Sequence, residues 1–251
     1  MSKNKNKKRE FGIFEKRLYL TIQKGEFEKA KELIDNRKDE IDLKLIEAVK
    51  EQNLEKVKEC FNKGAEDNYK STFFLAIESG NKEVIEYFIS RNVNNVNCRE
   101  IIGINDIFDP NPPERILLTI AIEKGYNDIV KLLLEKGADP LKEINNEKGR
   151  NALEYAISVN NIEAVKMILE TEIKFRYNEY GDAIILAIEK NNLKATEMFI
   201  DWNIKKGNSI DSTFWDNYYH HYMGNLVTPL KVAATQGKKE IVEMLLSKGA
   251  K

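Results

Sequence analysis

The sequence predicts an all-α fold, a solenoid of about seven helix-turn-helix repeats broken by two long insertions. Three observations carry this. Apolar residues recur in short runs at the three- and four-residue spacing of one helix face, as in Leu117, Leu118, Ala121 and Ile122. Each run is followed at a fixed distance by an anchor residue: Gly25, Gln52, Gly80, Gly125, Asn160, Asn191 and Gly237. Four positions before each anchor stands a small residue (Thr21, Ala48, Ala76, Ala121, Ala156, Ala187, Ala233), and eight and nine positions after it an apolar pair. Glycine, and after it asparagine, takes the left-handed backbone conformation that ends a helix most cheaply. Each unit is too short to be stable alone and needs its neighbours.

The stretch Leu117–Pro140 shows the unit most clearly. One helix precedes Gly125. Asn127 and Asp128 are expected to cap the next, whose core is Ile129, Val130, Leu132, Leu133 and Leu134. Lys136 suits the negative end of that helix, Gly137 stops it, and Pro140 prevents its return.

In chain order, residues 1–10 form a basic tail, expected to be disordered, and residues 11–251 the repeats. Units one to three are compact: 27 residues separate Gly25 from Gln52, and 28 separate Gln52 from Gly80, so their connecting loops must be trimmed. Between the third and fourth anchors the spacing is 45, and the excess is an insertion at about 93–113. Pro110, Pro112 and Pro113 forbid a regular helix at its end, while Ile101, Ile102, Ile104, Ile107 and Phe108 suit a loop folded onto its neighbours. Units four to six have spacings of 35 and 31. A second insertion, about 203–225, carries Phe214, Trp215, Tyr218, Tyr219, His220, His221 and Tyr222. The seventh unit closes the sequence and is expected to cap itself through the charged residues of its second helix, Lys238 to Lys248.

The last unit reads Thr228-Pro229-Leu230-Lys231-Val232-Ala233-Ala234, then Gly237, Ile241-Val242, Leu245-Leu246 and Gly249-Ala250. This resembles the ankyrin repeat, whose pattern is T-P-L-H-x-A-A-x-x-G, an I-V pair, an L-L pair and G-A-D. The likeness covers roughly residues 16–251 and is strongest in units four and seven. Lys231 replaces the family histidine, and Tyr19, Ile46, Phe74, Thr119, Glu154 and Ile185 stand at the equivalent places. A tetratricopeptide array has neither the G-A starts nor the T-P-L opening. The resemblance implies an ankyrin-type solenoid serving as a scaffold for protein binding.

Composition narrows the function. Forty Lys+Arg against 41 Asp+Glu give a net charge of −1, which exerts no global pull toward nucleic acid or a membrane surface. Charged residues reach 32%, which suits a thin array with much surface. No secretory leader and no run of 18 apolar residues is present, so a cytoplasmic chain is expected. Two cysteines make no disulfide framework; Cys60 holds a core position and Cys98 an insertion position, and both are expected reduced.

No phosphate-binding glycine loop, C-x-x-C, H-E-x-x-H or nucleophile elbow occurs. The chain is therefore read as no enzyme, with no cofactor and no small-molecule substrate. His220-His221, near Asp211 and Asp216, form the one histidine pair; adjacent histidines point apart and seldom chelate one ion, so no metal site is assigned. Family resemblance implies that partners meet the finger tips and the exposed side of the first helices. Arg115 and Arg150 fall at finger positions; Glu123 and Lys124 are the pair just before an anchor. In the aromatic insertion, Trp215, Tyr218 and Tyr222 are spaced as a helical stripe suited to packing, leaving Tyr219 and His220 outward. Aromatic residues of this kind also serve interfaces, so Trp215, Tyr219 and His220 join the candidate contacts. The expected partner is another protein. Two alternatives are a dedicated inhibitor or immunity protein for one enzyme or toxin, and a nucleic-acid-associated protein using the basic tail.

Overall fold

A computed structural model describes residues 26–65, 70–91, 96–101, 114–145, 151–175, 179–215 and 226–251. The described residues form twelve helices and two short antiparallel strand pairs, in two compact units, 1–72 and 73–251. The basic tail and the first anchor, Gly25, lie outside the described residues.

In the first unit, α1 (Phe27–Lys50) packs on α2 (Leu54–Asn62). A separate second helix for repeat one and first helix for repeat two was expected here. The structure instead runs both together as one helix of 24 residues. The reason is chemical: Asp35 to Glu40 contains neither Gly nor Pro, and the short spacing leaves no residues for a loop. Leu45, Ala48, Val49, Val57, Cys60 and Phe61 are buried in this unit.

The second unit contains most of α3 (Lys70–Ser79), then α4 (Lys82–Ser90), the strands β1 (Arg99–Ile101) and β2 (Glu114–Ile116), and the repeats built from α5 (Leu117–Glu123) to α12. The remaining helices are α6 (Asn127–Glu135), α7 (Ala152–Ser158), α8 (Ile162–Glu170), α9 (Glu179–Glu189), α10 (Leu193–Lys205), α11 (Pro229–Thr235) and α12 (Lys239–Ser247). The first helices α5, α7, α9 and α11 pack in sequence as one layer, and the second helices α6, α8, α10 and α12 as another. Apolar residues of both layers meet between them: Ala121, Ala156, Ala187 and Ala233 are fully buried, as are Leu133, Ile168, Phe199 and Leu245. A small residue is needed at the first set because the helices approach closely there.

Every described anchor takes the left-handed conformation. Gln52, Asn160 and Asn191 have φ of 55°, 58° and 54°, and they are the non-glycine residues with positive φ among those described. The next amide reaches back to the small residue: Tyr126 N–H donates to the Ala121 carbonyl at 3.0 Å, and Asn161 N–H to that of Ala156 at 2.9 Å. The anchor amide itself bonds three residues back, Gly125 to Ile122 at 3.1 Å. These paired bonds satisfy the carbonyls that a helix end exposes.

The caps follow with one difference. Asn53, Asn81, Asn161 and Asn192, each one position after its anchor, accept from the amide three residues on. In unit four that position is Tyr126, so α6 starts at Asn127 without a side-chain cap, and Asn127 does not play the expected capping role. Tyr126 lies instead against Gly80, where an added Cβ would come within 2.9 Å of its ring. Asn161 Nδ2 donates to the Ile122 carbonyl (3.0 Å) and Asn127 Oδ1 (3.2 Å), Asn192 Nδ2 to Asn160 Oδ1 (2.9 Å), and Lys238 Nζ to the Glu189 carbonyl (3.1 Å). In units four to seven the residue after the anchor thus ties its repeat to the one before it.

The positions of the family histidine are filled in several ways. Thr119 Oγ1 accepts from the Ile116 amide and donates to its carbonyl, closing the start of α5 locally. Glu154 is buried beside the cap Asn151, which accepts from its amide at 3.0 Å. Phe74 and Ile185 are buried apolar replacements, and Lys231 is exposed.

Of the first insertion, β1 and its pairing with β2 (Arg99 with Ile116, Ile101 with Glu114) are described, while 102–113 lie outside the described residues. Asn97 fastens its start to the next repeat: Nδ2 donates to the Gly137 carbonyl, and Oδ1 accepts from the Asp139 amide at 2.7 Å. At the second insertion α10 extends to Lys205, so 203–205 are helical. Residues 208–212 fold over the buried Asn203, whose amide nitrogen donates to the Ser209 carbonyl at 3.0 Å. The strands β3 (Phe214–Trp215) and β4 (Leu226–Val227) then pair across its base.

Candidate protein-binding surface

The first helices expose the two residues before each anchor. Lys50 and Glu51, and Glu123 and Lys124, are exposed; Glu78, Ser79, Ser158, Val159 and Glu189 are half-buried. Helix geometry explains the pattern, because the small residue four before the anchor faces inward and the pair before the anchor faces out.

Arg115 stands on β2, opposite Glu100. Its guanidinium lies over the buried Phe74 ring, 5.8 Å from the centroid, and donates to the Glu78 carboxylate. Glu78 occupies in unit three the place that Glu123 occupies in unit four, two residues before the anchor. The arginine therefore carries its charge to the same row as Glu123 and Lys124. It also acts as a tie between units three and four, half-buried, with 27% of its side chain accessible. Behind it, Arg99 Nη1 pairs with Glu114 at 3.0 Å, and the Glu114 amide donates to the Asn145 carbonyl at 2.6 Å.

Of the other expected site residues, Arg150, Tyr219 and His220 lie outside the described residues, with His221, Tyr218 and Tyr222. Trp215 is described in its backbone, which is a strand. Trp215 itself therefore does not start a helix, because pairing with Leu226 holds the chain extended there.

Trp202, one residue before the second insertion, belongs to α10. It meets Phe175 edge-on at 5.1 Å and stacks on Tyr180 at 5.9 Å. Tyr180 O–H donates to the Phe199 carbonyl at 3.2 Å, and burial pushes its phenol far above the ordinary tyrosine range. These rings fix the connection between units five and six.

No group of three His, Cys, Asp or Glu able to hold a metal occurs among the described residues. No described helix is long and apolar enough to cross a membrane. Burial raises the Cys60 thiol above its usual value, so it is a weak nucleophile at neutral pH. The sequence did not reveal Glu78 and Phe74 as partners of Arg115; 37 residues separate Arg115 from Glu78, and no local pattern links them.

A stack of helix pairs with left-handed turns, caps and short finger strands defines a helical-repeat scaffold. The family model for ankyrin repeats in three copies matches residues 18–143 and again 98–179, and the model for a single ankyrin repeat matches 225–251. The chain belongs to the ankyrin-repeat family. It is also similar to Protein HOS4 of Saccharomyces cerevisiae, at 30% identity over 129 residues, which is 50% of this chain and 11% of that protein. The chain thus spans a small part of that relative's length. Ankyrin repeats are general protein-interaction modules, and the family is typically non-catalytic.

Proposed function

We propose that this chain is a non-catalytic module that binds a partner protein through the exposed row of its first helices in units three and four, extended by the aromatic insertion. The observation that carries the reading is the Arg115–Glu78 pair over Phe74, in the same row as the exposed Glu123 and Lys124. Charged side chains held by neighbouring repeats lose little entropy on binding, so a modest number of contacts suffices. Mixed charge suits a polar protein surface better than a phosphate backbone. Trp215, Tyr219 and His220, from the insertion between units six and seven, would add aromatic contacts, and Arg150 a further finger contact.

The test is capture of a partner from the native lysate by the intact chain, compared with Glu123→Lys/Lys124→Glu and Trp215→Ala/Tyr219→Ala. Loss of one and the same partner in both variants, each melting as the parent does, supports the reading. Retention by both variants refutes it.

A further inference from the structure

The outer layer of second helices carries a second feature, independent of the first-helix row. A groove of about 350 Å³ lies between α6 and α8. Its floor holds Leu134 and Met167, both half-buried. Its rim holds Glu135, Glu163 and Glu170 against a single cation, Lys131, which stands 4.0 Å from Glu135. Glu163 and Glu170 are exposed and have no ion-pair partner among the described residues.

The next two intervals of the same layer show why this one is open. The deciding position lies eleven residues after the anchor, and it is Thr171, Trp202 and Lys248 in units five, six and seven. Lys248 reaches back to unit six, pairing with Asp201 at 2.6 Å and Glu197 at 3.5 Å, which neutralises the acids there. Trp202 packs on Phe175, from the segment that follows α8, and on Tyr180 of α9. Thr171 is too short for either role, and its hydroxyl donates to the Ile168 carbonyl of its own helix. The groove before it keeps its apolar floor and its uncompensated carboxylates.

We propose that the α6–α8 groove is a docking site for a basic segment of a partner protein that places one apolar side chain between lysines or arginines. The apolar residue rests on Leu134 and Met167, and the unbranched Met167 adapts to its shape. The flanking cations pair with Glu135, Glu163 and Glu170, in the manner that Lys248 serves Asp201 and Glu197 two intervals on. An acidic segment is excluded by the same carboxylates.

The test titrates the full chain at low salt with a synthetic peptide of alternating lysine and leucine pairs, and with a counterpart in which serine replaces each leucine. The leucine peptide is expected to bind about tenfold more tightly, since the serine peptide keeps the charge and loses the apolar contact. Glu163→Lys/Glu170→Lys is expected to weaken the leucine peptide about tenfold with an unchanged melting temperature. The methyl resonance of Met167, one of five methionines, is expected to shift on binding, with its assignment set by Met167→Leu. Equal affinity for the two peptides, an unmoved Met167 methyl, or indifference to the charge reversal would overturn the proposal. Tighter binding after removal of residues 1–10 would overturn it too, because the chain's own basic segment would then be the occupant.

Discussion

Gly125→Val isolates the backbone requirement on which the repeat rests. Gly125 has φ of +71°, and a Cβ built on it meets no atom within 4 Å. The Cβ of a substituted residue therefore meets no clash, and the strained backbone dominates the cost. A residue with a Cβ costs roughly 1–2 kcal/mol in the left-handed region, and a β-branched one more. Asparagine tolerates that region, and Asn160 and Asn191 do this work in units five and six. The series Gly125→Asn, Gly125→Ala, Gly125→Val should therefore fall in that order, from a few tenths of a kcal/mol to about 2 kcal/mol. If valine instead forces φ negative, the amide bonds from Gly125 to Ile122 and from Tyr126 to Ala121 are lost, which is no cheaper. Urea unfolding followed by helical circular dichroism reads the series. Gly237, with φ of +67° and equally open surroundings, is an internal replicate. Valine and asparagine variants of equal stability at either site would refute the turn argument.

Other predictions follow from the ties between repeats. Asn161→Ala should cost about 1–3 kcal/mol, losing both a cap and two donations to unit four; Asn161→Asp keeps the cap acceptor and should lose less, as urea unfolding of the pair would show. Lys248→Met should cost about 1 kcal/mol or less, because the pair with Asp201 is largely solvated. The hydrogen bond to Asp201 raises the Lys248 pKa above its usual 10.5, so its contribution is complete below that value and fades as pH rises through the folded one. Alkaline melts should accordingly destabilise the parent more steeply than Lys248→Met. Cys60, 8% exposed, should resist thiol labelling in the native protein and react once urea opens the first unit.

The turns were legible in the sequence because a left-handed position favours Gly or Asn, and two partners at fixed offsets mark it again. Gln52 was the least typical anchor by residue type, yet the offsets of Ala48 and Cys60-Phe61 located it, and its φ of 55° matches the others. The continuous α1 was less legible: a repeat pattern implies a loop at each period, and only the absence of Gly and Pro from residues 35–40 argued otherwise. The cap of α6 was misassigned by one position because Asn127 is a good cap by type, while geometry reserves that role for the residue next to the anchor, here Tyr126. Arg115 was legible as a finger residue, but its pairing with Glu78 was not. Such ties depend on how repeats stack, and the spacing of residues along the chain does not encode that.

The most direct test of the binding account is an amide hydrogen-exchange footprint of the captured partner on the intact chain. Binding through the first-helix row and the second insertion should slow exchange in residues 114–124 and 203–225 more than in α6 and α8. Slowed exchange confined to segments away from both stretches would contradict it.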